Sequence, residues 1–262
     1  MKNTIFLAFL CVLFLACSPS KEEQVCTDDQ HAFDLLDSLE NKKQLRDGKT
    51  EQLIGIDRDT VSLIDIQTIN PAIRVELKYA TADNFMKQVL YSRIRKAYLQ
   101  KDVAIRLGNC QKWLSSNYPG MFLLVYDAVR PLEVQQRMWN ALDSIPVARR
   151  VRFVSNPANH SLHNYGAAID LTICDVNGNP LDMGAGYDDM REIAYPKYEA
   201  KFIASGQLSQ EQVKNRTILR RAMQSQQFRQ LETEWWHFNA CSRSQAKSKY
   251  TVVKTESEIT EY

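Results

Sequence analysis

Residues 161–174 read SLHNYGAAIDLTIC. From Ala167 onward the stretch is apolar except for Asp170 and Thr172, which marks a buried strand bounded by a turn. Gly166 stands just before it, where a tight turn or a close backbone approach is expected. His163 and Asp170 therefore flank the start of a strand, in a chain with only four histidines. Imidazole nitrogen and carboxylate oxygen are both zinc donors. They are equally the parts of a hydrogen-bonded structural pair. These two residues alone do not choose between the readings.

Two further stretches add to the pattern. MFLLVYDAVRP, residues 121–131, is a second buried strand, and Pro131 forbids its continuation as a central one. Arg130 stands at its end, offering a rigid cationic fork for a substrate carboxylate or a developing oxyanion. A salt bridge to Asp127 is the competing reading. LETEWWHFNA, residues 231–240, reads as a final strand. It supplies His237 as a third metal donor, matching catalytic zinc sites that use three protein ligands and a water. It also supplies Glu234, a base able to deprotonate that water and protonate a leaving amine. Residues three apart on a regular strand face opposite sides. Glu234 and His237 can serve one ion only across irregular backbone, so a break is expected around Trp235–Trp236. The two tryptophans read as walls that exclude water. His31 and His160 show no partner pattern and are read as non-ligands.

The rest of the chain sets the class. VSLIDIQTI (61–69) and IRVELKYA (73–80) are candidate strands. LQKDVAIRLGNCQKWLSSNYPG (99–120) places Val103, Leu107, Cys110 and Leu114 at helical spacing and ends on Asn-Tyr-Pro-Gly. EVQQRMWNALD (133–143) and EQVKNRTILRRAMQSQQF (211–228) are further helices. Elements in this irregular order predict a single α+β domain over 61–242, with a central antiparallel sheet flanked by helices. A net charge of +2, with no Arg/Lys cluster interleaved with aromatics, excludes a nucleic-acid groove.

The N-terminus carries a short apolar run, IFLAFLCVLFLA, and then Cys17. It reads as a lipoprotein-type signal peptide over 1–16, with the lipid on Cys17. The expectation is an exported, membrane-anchored lipoprotein. Residues 17–60 read as a polar tether, with a short helix in HAFDLLDSLENKK, and 243–262 as a loose polar tail. In an oxidising compartment Cys26, Cys110, Cys174 and Cys241 allow three pairings, and none sits in a CxxC metal motif.

SLHNYGAAID, ETEWWHF and YDAVRP together resemble the D-alanyl-D-alanine dipeptidases of the vancomycin-resistance type. That family is grouped with D-Ala-D-Ala carboxypeptidases and the hedgehog fold. Its pattern is Y/W-D-x-x-R-P, then S-x-H-x-x-G-x-A-I-D, then E-W-W-H, and all three occur here in order. YATADNF (79–85), GYDDM (186–190) and NRTILRRAM (215–223) also look like family segments, and the likeness spans 65–240. It implies one zinc ion per chain on His163, Asp170 and His237. It implies Glu234 as general base and acid, and Arg130 as stabiliser of the tetrahedral intermediate. It implies Ser161 as a substrate-binding residue and Asp188 in the pocket for a free amino group. Residues 195–212 depart from the family sequence, so the preferred dipeptide stays open. The activity implied is hydrolysis of D-Ala-D-Ala or similar small dipeptides, in peptidoglycan turnover outside the cytoplasm. The rival readings are a peptidoglycan D,D- or L,D-carboxypeptidase and a non-catalytic zinc-containing surface binding lipoprotein.

Overall fold

The structure is a computed structural model and describes residues 63–260. The expected signal peptide over 1–16, the expected tether over 17–60, and Cys17, Cys26 and His31 lie outside the described residues. The elements run β1 (Leu63–Asp65), α1 (Ile66–Ile69), β2 (Arg74–Val75), β3 (Tyr98–Gln100), α2 (Lys101–Asn117), β4 (Phe122–Asp127), α3 (Leu132–Ala141), α4 (Val147–Arg150), β5 (Ala168–Cys174), α5 (Glu199–Ala204), α6 (Gln210–Gln224), β6 (Arg229–Gln230), β7 (His237–Asn239), α7 (Arg243–Lys249) and α8 (Ser257–Thr260).

A five-stranded sheet has the order β2-β4-β5-β7-β6, and β1 pairs with β3 in a small second sheet. The α+β expectation holds. The sheet is antiparallel apart from its β2–β4 edge, which is parallel and makes it mixed. Alternation on the central strands sorts their side chains. Leu123 and Val125 of β4 and Ile169, Leu171 and Ile173 of β5 enter the main core. Val103, Leu107, Cys110 and Leu114 of α2 meet them there, with Ile218, Leu219 and Met223 of α6. Each such fully buried aliphatic side chain stabilises the fold by about 1.5–3 kcal/mol. Asp170 and Thr172 fall on the opposite face of β5, as period two requires.

Two candidate strands are shorter than their sequence suggests. Of the described residues 63–69 only Leu63–Asp65 is strand, because the Asp65 side chain accepts a hydrogen bond from the Gln67 amide and caps α1. In 73–80 only Arg74–Val75 pairs, and a 3-10 turn over Lys78–Ala80 follows.

The stretch after Cys241 corrects the expectation of a loose tail. Ser242 and Gln245 form a capping box that starts α7. Val253 and Ile259 are buried, and Glu256 is 2% exposed. The Glu256 carboxylate accepts hydrogen bonds from the amides of Ser92, Arg93 and Ile94 and pairs with Arg137. Composition averages over the segment, whereas a few well-placed residues dock it. Burial acts to raise the Glu256 pKa, and the amides of Arg93, Ser92 and Ile94 outweigh it and hold it below the ordinary value. A depressed carboxyl stabilises above its unfolded pKa, and that stability is lost as pH falls through the folded value. Glu256→Ala strands these amides and is expected to destabilise by at least about 2 kcal/mol. Urea titration at neutral pH measures it, and the difference from wild type should shrink in acid.

Among the described residues Cys110, Cys174 and Cys241 form no disulfide with one another.

Candidate metal centre

His163 is carried by a 3-10 turn, Leu162–Tyr165. Ser161 Oγ accepts from the His163 amide, and Asn164 Oδ1 accepts from the Ser161 amide, so a capping box starts the turn. Gly166 ends it at φ +64, where a Cβ would meet Leu63 at 2.8 Å. The sequence reading left a tight turn and a close approach as alternatives, and the structure shows both at this glycine.

Asp170 and His237 are register partners on β5 and β7. Phe238 turns into the core, which leaves His237 and Asn239 on the face that Asp170 shares. On β4 the register shifts between Val125 and Asp127, and this irregularity sets Asp127 opposite Asp170. Backbone bends occupy Trp235–Trp236 and strand begins only at His237, as the spacing of Glu234 and His237 required.

His163, Asp170 and His237 are all buried and bring one ligand atom each into a single cluster. The outer nitrogens are committed. His163 Nδ1 donates to the Ala128 carbonyl at 2.6 Å, and His237 Nε2 donates to Asn239 Oδ1 at 2.8 Å. In the neutral imidazoles the inner nitrogens, His163 Nε2 and His237 Nδ1, therefore carry lone pairs, and they lie 3.2 Å apart. Asp170 Oδ1 is 2.9 Å from the second and 3.4 Å from the first. Three acceptors facing one another repel unless a cation or proton lies among them. A tetrahedral ion with bonds of about 2.0–2.1 Å needs ligand atoms about 3.3 Å apart. The donor set fits such an ion in chemistry and spacing, and each histidine has the outer hydrogen bond that fixes a ligand tautomer.

Burial acts to raise the Asp170 pKa, but the two imidazoles outweigh it and hold the carboxyl well below its usual range. Burial acts to lower His237, and the bond to Asp170 outweighs it and raises the imidazole. Asp170 Oδ2 accepts from the Tyr187 hydroxyl at 3.1 Å and lies 3.5 Å from Arg130 Nη2.

Arg130 does form the salt bridge that competed with a functional role. Its Nε and Nη2 donate to Asp127 Oδ2 at 3.0 and 2.7 Å. Tyr91 donates to the other Asp127 oxygen, and the guanidinium lies 4.9 Å over the Tyr79 ring. The bridge holds Arg130 beside Asp170 and leaves Nη1 without a hydrogen-bond partner among the described residues.

Glu234 stands outside the three donors, with Oε2 3.9 Å from His237 Nδ1 and 32% of its side chain exposed. Burial raises its carboxyl pKa, opposed by His237 and reinforced by the Asp170 charge. Asp188 sits at φ +60, a conformation rare for a residue with a Cβ. Its carboxylate accepts from the Tyr79 hydroxyl and has no ion-pair partner among the described residues. Burial and then repulsion from Asp170 push its pKa well above the ordinary value. His160 sits outside the cluster, bonded to Tyr165.

Residues 59–255 match the peptidase M15 family, described as D-Ala-D-Ala dipeptidase. The chain belongs to this family. It is 38% identical over 181 residues to a D-alanyl-D-alanine dipeptidase of Escherichia coli (strain K12), an alignment covering 69% of this chain and 85% of that protein. It is 30% identical over 180 residues to a D-alanyl-D-alanine dipeptidase of Enterococcus faecalis (strain ATCC 700802 / V583), covering 63% and 85%. Among solved structures it has a looser likeness to the vancomycin-resistance D,D-pentapeptidase VanY in complex with Zn(II). There the identity is 13% and the TM-score 0.31, over 63% of this chain and 86% of that one.

Sequence reasoning missed several residues of this M15 centre. Asn239 was findable, since it lies two residues past His237 on the same strand face. Tyr187 adjoins Asp188 in the GYDDM segment. Tyr79 opens the YATADNF segment. Tyr91 and the Ala128 carbonyl had no local signal, because only tertiary packing brings them to Asp127 and His163.

Proposed function

We propose that this chain is a zinc-dependent dipeptidase acting on D-Ala-D-Ala or similar small dipeptides. The observation that carries the reading is the convergence of three bare acceptors, both outer imidazole nitrogens tied, beside a base and a guanidinium. When bound, the ion supplies Lewis acidity toward water and the scissile carbonyl. Glu234 takes a proton from the attacking water and returns it to the leaving nitrogen, and its raised pKa suits both halves of that task. Arg130, braced by Asp127, directs its remaining donor at the oxygen where negative charge develops. Ser161 spends an acceptor site on the His163 amide and keeps its hydroxyl proton for the substrate.

Asp188 selects the substrate's free amino end. A buried carboxylate with no cationic partner is relieved by an ammonium, and an acylated amine leaves it unpaired. A site that reads charge in this way rejects analogues lacking it more strongly than one that reads shape. The expected role is turnover of wall-derived dipeptides outside the cytoplasm, which follows from reading the N-terminus as a lipoprotein signal. Finding the mature protein soluble in the cytoplasm would end that part of the proposal.

The test is D-alanine release by the zinc-loaded chain from D-Ala-D-Ala and from N-acetyl-D-Ala-D-Ala. Hydrolysis of the free dipeptide is expected, with the acetylated one slower by about 100-fold or more. Cleavage of a pentapeptide stem with D-Ala-D-Ala untouched would instead support the carboxypeptidase reading. Zinc bound without turnover of either would support a binding protein.

A further inference from the structure

The segment NRTILRRAM has no part in the chemistry above, yet it contains a fully buried cation. Arg216 of α6 is 0% exposed. Its Nε donates to the Met183 carbonyl at 2.7 Å and its Nη2 to the Ile193 carbonyl at 3.0 Å. These carbonyls are the two ends of the loop that carries Tyr187 and Asp188. The charge is balanced by Glu199, 3.7 Å from Nη1, and Nη1 itself has no hydrogen-bond partner. A buried, incompletely satisfied guanidinium is a poor device for stability alone, since an apolar side chain would fill the space without the desolvation penalty.

The loop needs such a tie. Between Met183 and Arg191 it contains only bends and turns, with Gly184 at φ +74 and Asp188 at φ +60. Residues 180–187 wall a cavity of about 450 Å³ together with Thr172, Gln212 and Trp235, which the metal ligands do not line. Within the loop Met183 is buried, Tyr187 packs against Tyr79, Tyr126 and Trp236, and Asp188 accepts from Tyr79. The ties at its ends come from α6. Besides Arg216, Asn215 Nδ2 donates to the Asp182 carbonyl at 2.9 Å and Gln212 Nε2 to the Asp182 carboxylate at 2.8 Å.

We infer that Arg216 is a positioning residue that clamps both ends of the 183–193 loop and so presents Asp188 to the substrate ammonium. The inference rests on the dipeptidase reading of Asp188. Arg216 touches neither the metal ligands nor Glu234 and Arg130. Its loss therefore acts first on substrate recognition and reaches the centre only through the bond from the Tyr187 hydroxyl to Asp170. A lysine keeps the charge but cannot fork across two carbonyls.

The experiment compares Arg216→Lys and Asp188→Asn with wild type, measuring kcat and KM for D-Ala-D-Ala, bound zinc, and amide hydrogen exchange over 184–192. For Arg216→Lys the expected result is a KM raised by about tenfold or more, kcat within about threefold, and zinc unchanged. Exchange in the loop should be faster while that in β5 is unaltered. An unchanged KM, with any loss confined to kcat or to the yield of folded protein, overturns the inference. Asp188→Asn separates the two claims. If it raises KM and Arg216→Lys does not, only the clamp is wrong. If Asp188→Asn leaves KM unchanged, the ammonium reading itself fails. Should Arg216→Lys fail to fold, Asn215→Ala cuts the neighbouring tie without disturbing the buried charge. It is expected to raise KM by a few-fold in the same direction, and no change there overturns the clamp.

Discussion

Glu234→Gln is expected to lower kcat for D-Ala-D-Ala by about 10³-fold while the protein keeps its zinc. A positioned general base contributes on the order of 10²–10⁴. Here one carboxylate serves as base and then as acid, which places the expected loss in the upper half of that range. Zinc retention follows from geometry, because Glu234 lies outside the three donor atoms and its nearest approach to His237 is 3.9 Å. Glutamine keeps the shape of the side chain, so the comparison removes proton transfer and little else. The acid limb of the wild-type rate profile should report the same group. A base must be deprotonated to act, so the rate falls as pH drops through the Glu234 pKa. Burial raises that pKa and a bound dication opposes the rise, so the position of the limb reads the balance between them. Steady-state kinetics and metal analysis of the same preparations decide it. A glutamine variant within about tenfold of wild type would remove Glu234 from the base role, since the smallest effect of a general base is larger.

Asp170→Asn is expected to remove both the metal and the activity. The carboxylate is the only anionic donor of the three, and a neutral amide oxygen does not replace its charge in a buried site. The substitution also disturbs the surroundings of Asp170, because Tyr187 donates to its Oδ2 and Arg130 lies 3.5 Å from the same oxygen. The expected result is zinc content falling from about one ion per chain to near none, with D-alanine release at background. In the wild type, a chelator should abolish turnover and added zinc should restore it. Stoichiometric zinc in the asparagine variant would mean that the ligand set has been misread.

Much of the candidate site was legible in the sequence because its chemistry-bearing residues sit in short, chemically unusual contexts. His163 and Asp170 bracket a turn and a strand, and Glu234 and His237 share one short segment. Parity along a strand was enough to require irregular backbone at Trp235–Trp236, and the bends are there. Long periodic elements were legible for the same reason, since α2, α6 and β5 each repeat a burial pattern over several residues. Short elements were not, because one cap decides them: Asp65 turns a run of apparent strand into α1. The C-terminal stretch was misread because its docking depends on a handful of residues, above all Glu256, whose partners Ser92–Ile94 lie more than 160 positions away.

By itself, then, the sequence named the candidate side chains, the order in which they occur, and the α+β character of the domain. These depend on residue type and on local period, which the chain displays directly. Only the tertiary structure decided how those side chains meet. The pairing of β5 with β7 sets Asp170 against His237 across 67 positions. The irregularity in β4 sets Asp127 opposite Asp170, and the Ala128 carbonyl and Asn239 choose the tautomers. Apart from the bond to Asn239, which spans two positions, these contacts join segments distant in the chain. Their partners are set by strand register and loop closure, which no local pattern of residues encodes.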